Sequence, residues 1–140
     1  MRKLFVLSLF LIVAVASVGM VFAASQDIGD RSFNVPDGFN EVNSSNAQSN
    51  LGTFYNKVFQ NSKGDIINIT VLVCNDGMAF TYIKPTDPGS VNKTINGAEG
   101  FFWDNSPTAH KPAFTFAENN NQRLVSISAT NANDIEACLK

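Results

Sequence analysis

Residues 65–74 read DIINITVLVC, and this stretch decides the fold. β-Branched side chains dominate it, and their restricted χ1 suits a pleated strand better than a helix. Successive side chains on a strand point to opposite faces. Ile67, Ile69, Val71 and Val73 therefore share one face, with Asn68 and Thr70 on the other. A strand patterned this way belongs to a sheet with one hydrophobic side, and its odd residues point to the core.

Working outward, residues 53–60 (TFYNKVFQ) read as a second strand, joined to the first by the turn Asn61-Ser62-Lys63-Gly64. Residues 43–50 are almost all Asn, Ser, Gln and Ala, a loop by composition. Before them, Ser32-Phe33-Asn34-Val35 alternates polar with apolar and runs into the turn Pro36-Asp37-Gly38. Residues 24–31 are polar and read as a flexible leader. Downstream of Cys74, Asn75-Asp76-Gly77 breaks the strand. Residues 78–84 fit a short helix or another strand, because seven residues are too few for periodicity to decide. Residues 85–89 (PTDPG) are irregular.

Asn96-Gly97 is a strong two-residue hairpin signal, because both residues accept positive φ. A turn there pairs Ile95 with Ala98, Lys93 with Gly100 and Val91 with Phe102, and sets Asn92 across from Phe101. Residues 104–112 hold two prolines and read as a loop. Residues 114–117 and 123–129 form a last hairpin around Asn119-Asn120-Asn121. The tail reads as a short helix capped by Asn131 or Asn133, with Ile135, Cys138 and Leu139 on one face. The expected fold class is α+β, a twisted antiparallel β-sheet built from hairpins and packed by a short C-terminal helix.

The chain has 140 residues, 44% of them hydrophobic, and a formal net charge of −2. That length fits one domain, here residues 32–140. The acidic balance argues against nucleic-acid binding, which needs clustered Lys and Arg. Residues 1–23 carry the parts of an export signal: Arg2 and Lys3, an apolar run from Leu4 to Ala16 broken only by Ser8, and Val21-Phe22-Ala23 before the expected cut. The other reading is an uncleaved N-terminal membrane anchor with the domain outside, since the apolar stretch is long enough to span a bilayer. Cleavage removes Arg2 and Lys3, leaving 8 basic against 12 acidic groups.

An exported chain with two cysteines, Cys74 and Cys138, suggests a disulfide between them, worth on the order of 4 kcal/mol by loop closure. Two separate buried thiols are the alternative. Cys74 has the parity of Asn68 and Thr70, whereas Cys138 lies on the apolar face of the helix, a tension for the bridge. Asn43, Asn68 and Asn92 each open an Asn-x-Ser/Thr sequon and are glycosylation candidates where exposed.

The succession SFNVPDGF, a central hydrophobic strand, TINGAEGFFW, a Phe-rich hairpin and LVSISATN before a short helix resembles small exported proteins of methanogenic archaea without assigned function. The resemblance covers most of the mature chain and implies a sheet-and-helix fold at the cell envelope. It brings no active-site residues.

Recognisable chemistry is sparse. His110 is the only histidine, in a loop between Pro107 and Pro112, and no GxSxG elbow accompanies it. One His and two distant Cys do not make a zinc centre, and no phosphate-binding glycine loop occurs, so neither metal nor cofactor is expected. The consecutive aromatics Phe101-Phe102-Trp103 cannot all face one core. With Phe102 inward, Phe101 and Trp103 are either covered by the helix or the following loop, or exposed as a platform beside Asp104 and Asn105. The resulting expectation is an exported non-enzymatic module of the cell surface or envelope, binding an envelope component, a carbohydrate or a lipid. Two alternatives stand beside it: a small extracellular enzyme using His110, and a lipid or small-molecule carrier with a cavity behind the sheet. Mass spectrometry of secreted material is expected to show a chain beginning at Ala24; an intact residue 1 supports the anchor instead.

Overall fold

The computed structural model describes residues 24–75 and 89–140. The leader at residues 1–23 and the segment at 78–84 lie outside the described residues. In chain order the elements are β1 (Ala24–Ile28), β2 (Arg31–Val35), β3 (Asn40–Ser49), β4 (Gly52–Gln60), β5 (Ile66–Cys74), β6 (Val91–Ile95), β7 (Ala98–Trp103), β8 (Ala113–Glu118), β9 (Arg123–Ala129) and α1 (Ala132–Cys138). Seven strands form one antiparallel sheet in the order β3-β4-β5-β9-β8-β7-β6, and β1 pairs with β2 apart from it.

β5 lies between β4 and β9, which pair Ile69 with Lys57 on one side and with Ile127 on the other. Cross-strand partners share a face, so the odd parity of β5 propagates along the sheet. Ile67, Ile69 and Val71 join Val125, Ile127, Phe114, Phe116 and Phe102 in one buried cluster. The β6–β7 hairpin has the register read from Asn96-Gly97, with Val91 opposite Phe102 and Asn92 opposite Phe101. Asn96 and Gly97 adopt φ of 48° and 83°, as the two-residue turn requires.

The cover on this apolar face has two parts. α1 contributes Ile135 and Cys138, and the β1–β2 hairpin contributes Ile28, Phe33 and Val35 to the same cluster. The flexible leader expected for residues 24–31 is therefore corrected: residues 24–28 are a strand, and Ile28 is buried. Its polar residues misled because main-chain bonds to β2, rather than side-chain packing, hold most of β1 in place.

Residues 43–50 are corrected in the same way. β3 runs through them as an edge strand whose ten residues are all exposed. An edge strand with nothing to bury has the composition of a loop, yet its backbone pairs with β4 from Asn40 to Ser49. The register slips once, at Val42, which is left unpaired.

The opposite face carries a polar row. Asn56, Thr70, Ser126 and Thr115 are successive cross-strand partners. The Asn56 amide donates to Thr70 Oγ1 at 2.9 Å and to Asn68 Oδ1 at 2.6 Å, and the Thr115 and Ser126 hydroxyls lie 3.1 Å apart. Beyond it Leu72 and Cys74 form a small second cluster with Phe54, Leu124 and Ala117.

Gly100 shows how closely the strands approach. A Cβ there would lie 2.2 Å from the Thr115 carbonyl oxygen and 2.8 Å from Phe116 Cβ, whereas one on Gly97 would meet nothing within 4 Å. Gly100→Ala must move backbone, an overpacking cost of about 1–3 kcal/mol. Gly97→Ala adds only the left-handed φ penalty, about 1–2 kcal/mol. Urea unfolding is expected to rank Gly100→Ala as the more damaging; equal midpoints would contradict the strand spacing.

Candidate functional site

Two turns bring four charged side chains together. Asn119, Asn120 and Asn121 all take left-handed φ, reversing the chain so that Glu118 and Arg123 become cross-strand partners. Gly29, at φ 63°, turns β1 into β2 and sets Asp30 and Arg31 above them. Arg31 Nε donates to Glu118 Oε1 at 2.6 Å, and Arg123 Nη1 donates to the same oxygen at 2.8 Å. Arg123 Nε donates to Asp30 Oδ1 at 2.7 Å.

Charge-assisted bonds of this kind at half-buried groups exceed ordinary surface pairs, and they tie the cover hairpin to the sheet. The hydrogen bond from Arg123 holds the Asp30 carboxyl below its ordinary pKa, against a smaller opposing effect of burial. Arg31 also stacks: its guanidinium carbon is 4.5 Å from the Phe33 ring centroid and 5.4 Å from that of Phe116.

Beside this network lies an open cleft of about 560 Å³, lined by Arg31, Glu118, Glu99, Asn96 and the β6–β7 turn. Glu118 spends Oε1 on both arginines, and Oε2 has no protein donor among the described residues. Arg31 Nη2 likewise has no hydrogen-bond acceptor among the described residues. The cleft is therefore lined by one residue with a spare donor and one with a spare acceptor, both held by protein contacts. A smaller cleft of about 240 Å³ lies across the hairpin, lined by Asp27, Ser44, Asn46, Tyr55 and Lys57.

The residues singled out from sequence do not gather into a site. Phe101 is half-buried and Trp103 is only 8% exposed, the covered one of the two arrangements expected and not the exposed platform. Trp103 is drawn inward at the strand end together with its partner Ala113 and with Ser106, both buried. Its indole Nε1 is buried with no hydrogen-bond partner among the described residues. Asp104 and Asn105 are exposed.

His110 is exposed at φ 53°, its backbone N–H donating to Ser106 O. Its side chain makes no hydrogen bond or ion pair among the described residues. The buried cluster lies on the face of the sheet where a carrier would keep its ligand.

The expected Cys74–Cys138 disulfide is also corrected, since both cysteines are buried and not bridged. Strand parity explains it. Cys138 packs with the odd face of β5, and Cys74 belongs to the even-face cluster with Leu72, so the sheet stands between the two sulfurs. Of the sequon asparagines, Asn43 and Asn92 are exposed on the two edge strands. Asn68 is half-buried in a central strand with its amide oxygen bound by Asn56, a poor position for a glycan.

Among the described residues no group of three or more His, Cys, Asp or Glu is placed to hold a metal. No helix among them is long and apolar enough to cross a membrane. No protein-family model, curated protein or solved structure matches the chain.

Burial pushes the Cys138 thiol up to about 12, with Asp134 adding to the effect. The folded state then keeps a proton that the unfolded state loses above about pH 9. The stability tied to this proton is complete below pH 9 and is lost as pH rises towards 12. Cys138→Ala is expected to flatten the alkaline fall of unfolding free energy between those limits. A native thiol that reacts readily with iodoacetamide at pH 8 and maps to Cys138 would contradict this burial.

Proposed function

We propose that the protein is an exported, non-catalytic module of the cell surface or envelope that binds a neutral, hydroxyl-rich ligand, a saccharide, in the Arg31–Glu118 cleft. The observation that carries this reading is the unengaged pair at its wall. Arg31 Nη2 can donate and Glu118 Oε2 can accept, and both side chains are already held by protein contacts. A sugar hydroxyl is donor and acceptor at once, so adjacent hydroxyls match this pair. Preorganised side chains lose little rotamer freedom on binding.

The charge balance selects among ligands. Arg123 is matched by Asp30, and Glu118 and Glu99 together outweigh Arg31 at the cleft. An anion therefore meets no net positive field, and a neutral polyol is favoured over a phosphate or carboxylate. Export through residues 1–23, with or without the cut after Ala23, places such a module where envelope glycans are found. The resemblance to small exported archaeal proteins agrees with that location.

Titration with neutral oligosaccharides, followed by amide NMR, is expected to shift Asn96, Gly97, Ala98 and Glu99 first. Arg31→Ala is expected to weaken binding at least tenfold, the worth of about one charge-assisted hydrogen bond. Binding that is unchanged in Arg31→Ala, or shifts confined to other residues, would remove the cleft from this role. Preference for an anionic glycan over its neutral analogue would overturn the choice of ligand class.

A further inference from the structure

The two edges of the seven-stranded sheet are treated differently. β6, at one edge, has five residues and places Lys93 in its middle, paired with Glu136 at 3.5 Å. Short length and a central lysine are devices that keep an edge from pairing. β3, at the other, is the longest strand, and all ten of its residues are exposed. From Val42 to Leu51 it contains no charge and no proline. Its only interruption is the register slip at Val42, near one end.

We propose that β3 pairs antiparallel with β3 of a second copy of this chain, about a two-fold axis at Asn46. Three features select a second copy as the occupant. The chain carries net negative charge, yet the uncharged window lets two copies approach without opposing like charges across the new ladder. Centred on Asn46, residues 43–49 are self-complementary except that Ser45 faces Ala47. Asn46 faces its own counterpart, Ser44 faces Gln48 and Asn43 faces Ser49, each an amide or hydroxyl match. The same register sends the two Glu41 carboxylates to opposite ends of the ribbon, and Glu41 is already paired with Lys57 at 3.2 Å.

The pairing also completes a site. Ser44 and Asn46 line the smaller cleft beside Tyr55, Asp27 and Lys57. Across the two-fold, the second copy's Asn46 and Gln48 extend the same face, so two such clefts meet at the junction. A single strand pair buries less than a standard stable interface, so the dimer forms weakly and exchanges. Asn46 lies outside the Arg31–Glu118 cleft, and this inference stands apart from the saccharide reading.

The full chain carrying Asn46→Cys, mildly oxidised at micromolar concentration, tests it. The native cysteines are buried, so the new thiol is the reactive one. A disulfide-linked dimer is expected, in at least tenfold higher yield than from Asn92→Cys, also an exposed position, on the opposite edge. Adding Ala47→Lys, which charges the edge while leaving the core untouched, is expected to lower the Asn46→Cys dimer yield at least tenfold. Equal crosslinking at 46 and 92, or indifference to Ala47→Lys with the unfolding midpoint preserved, would overturn the pairing. Linkage of Asn46→Cys to a different protein in place of its own copy would overturn the choice of occupant.

Discussion

The separation of β5 into an apolar and a polar side is the constraint on which the rest depends. Ile67, Ile69 and Val71 are buried on one face, and Asn68 and Thr70 are hydrogen-bonded on the other. A one-residue slip against β4 or β9 would exchange these sets and bury amides among isoleucines. Such an error costs several side chains of transfer free energy at once, about 1.5–3 kcal/mol for each large apolar group. The register of the central strands is accordingly determined by side-chain chemistry and propagates to β8 and β7 through direct cross-strand pairs.

That polarity also explains why the molecule needs two covering pieces on its apolar side. α1 has only seven residues and buries two side chains, too few for a face that includes Phe114, Phe116 and Phe59. The β1–β2 hairpin supplies the remainder with Ile28, Phe33 and Val35. Few apolar residues hold the hairpin, so its placement is reinforced by the Asp30–Arg123–Glu118–Arg31 network and by the Asn34 amide, which donates to the Lys140 carbonyl. The same segregation keeps Cys74 and Cys138 apart. Burial serves both cysteines, and their pairing would require crossing the sheet.

Legibility from sequence followed how strongly side chains, as opposed to backbone, determine each element. β5 and the β6–β7 hairpin were readable because β-branched alternation and Asn-Gly carry a mechanism. β9 was readable through Val125, Ile127 and Ala129, and the helix through Ile135 and Cys138. β1 and β3 were not, because Ser25, Gln26, Ser44 and Gln48 are held by ladder bonds that leave no trace in composition. Trp103 was half legible: parity placed it opposite Phe102, but burial there depends on neighbours far along the chain. The cleft was hidden for the same reason. Arg31 and Glu118 are 87 residues apart, and only the Glu118–Arg123 pair, flanking an Asn-rich turn, carried a local signal.

The structural role of the arginine network and the binding role proposed for it draw on different atoms of the same groups. Glu118 Oε1 anchors the hairpin and Oε2 remains open; Arg31 Nε anchors and Nη2 remains open. Intermediate burial makes this division possible. Fully buried, the open atoms would carry the desolvation cost of unmet polar groups, about 1–3 kcal/mol each. Fully exposed, the side chains would not be held, and a ligand would have to order them. With side chains 20–26% exposed, the open atoms stay within reach of solvent, which a ligand hydroxyl would replace under the proposed reading. A cover tied down by charges at the margin of the core therefore leaves an open, polar cleft along its seam, whereas an apolar clasp would close that seam.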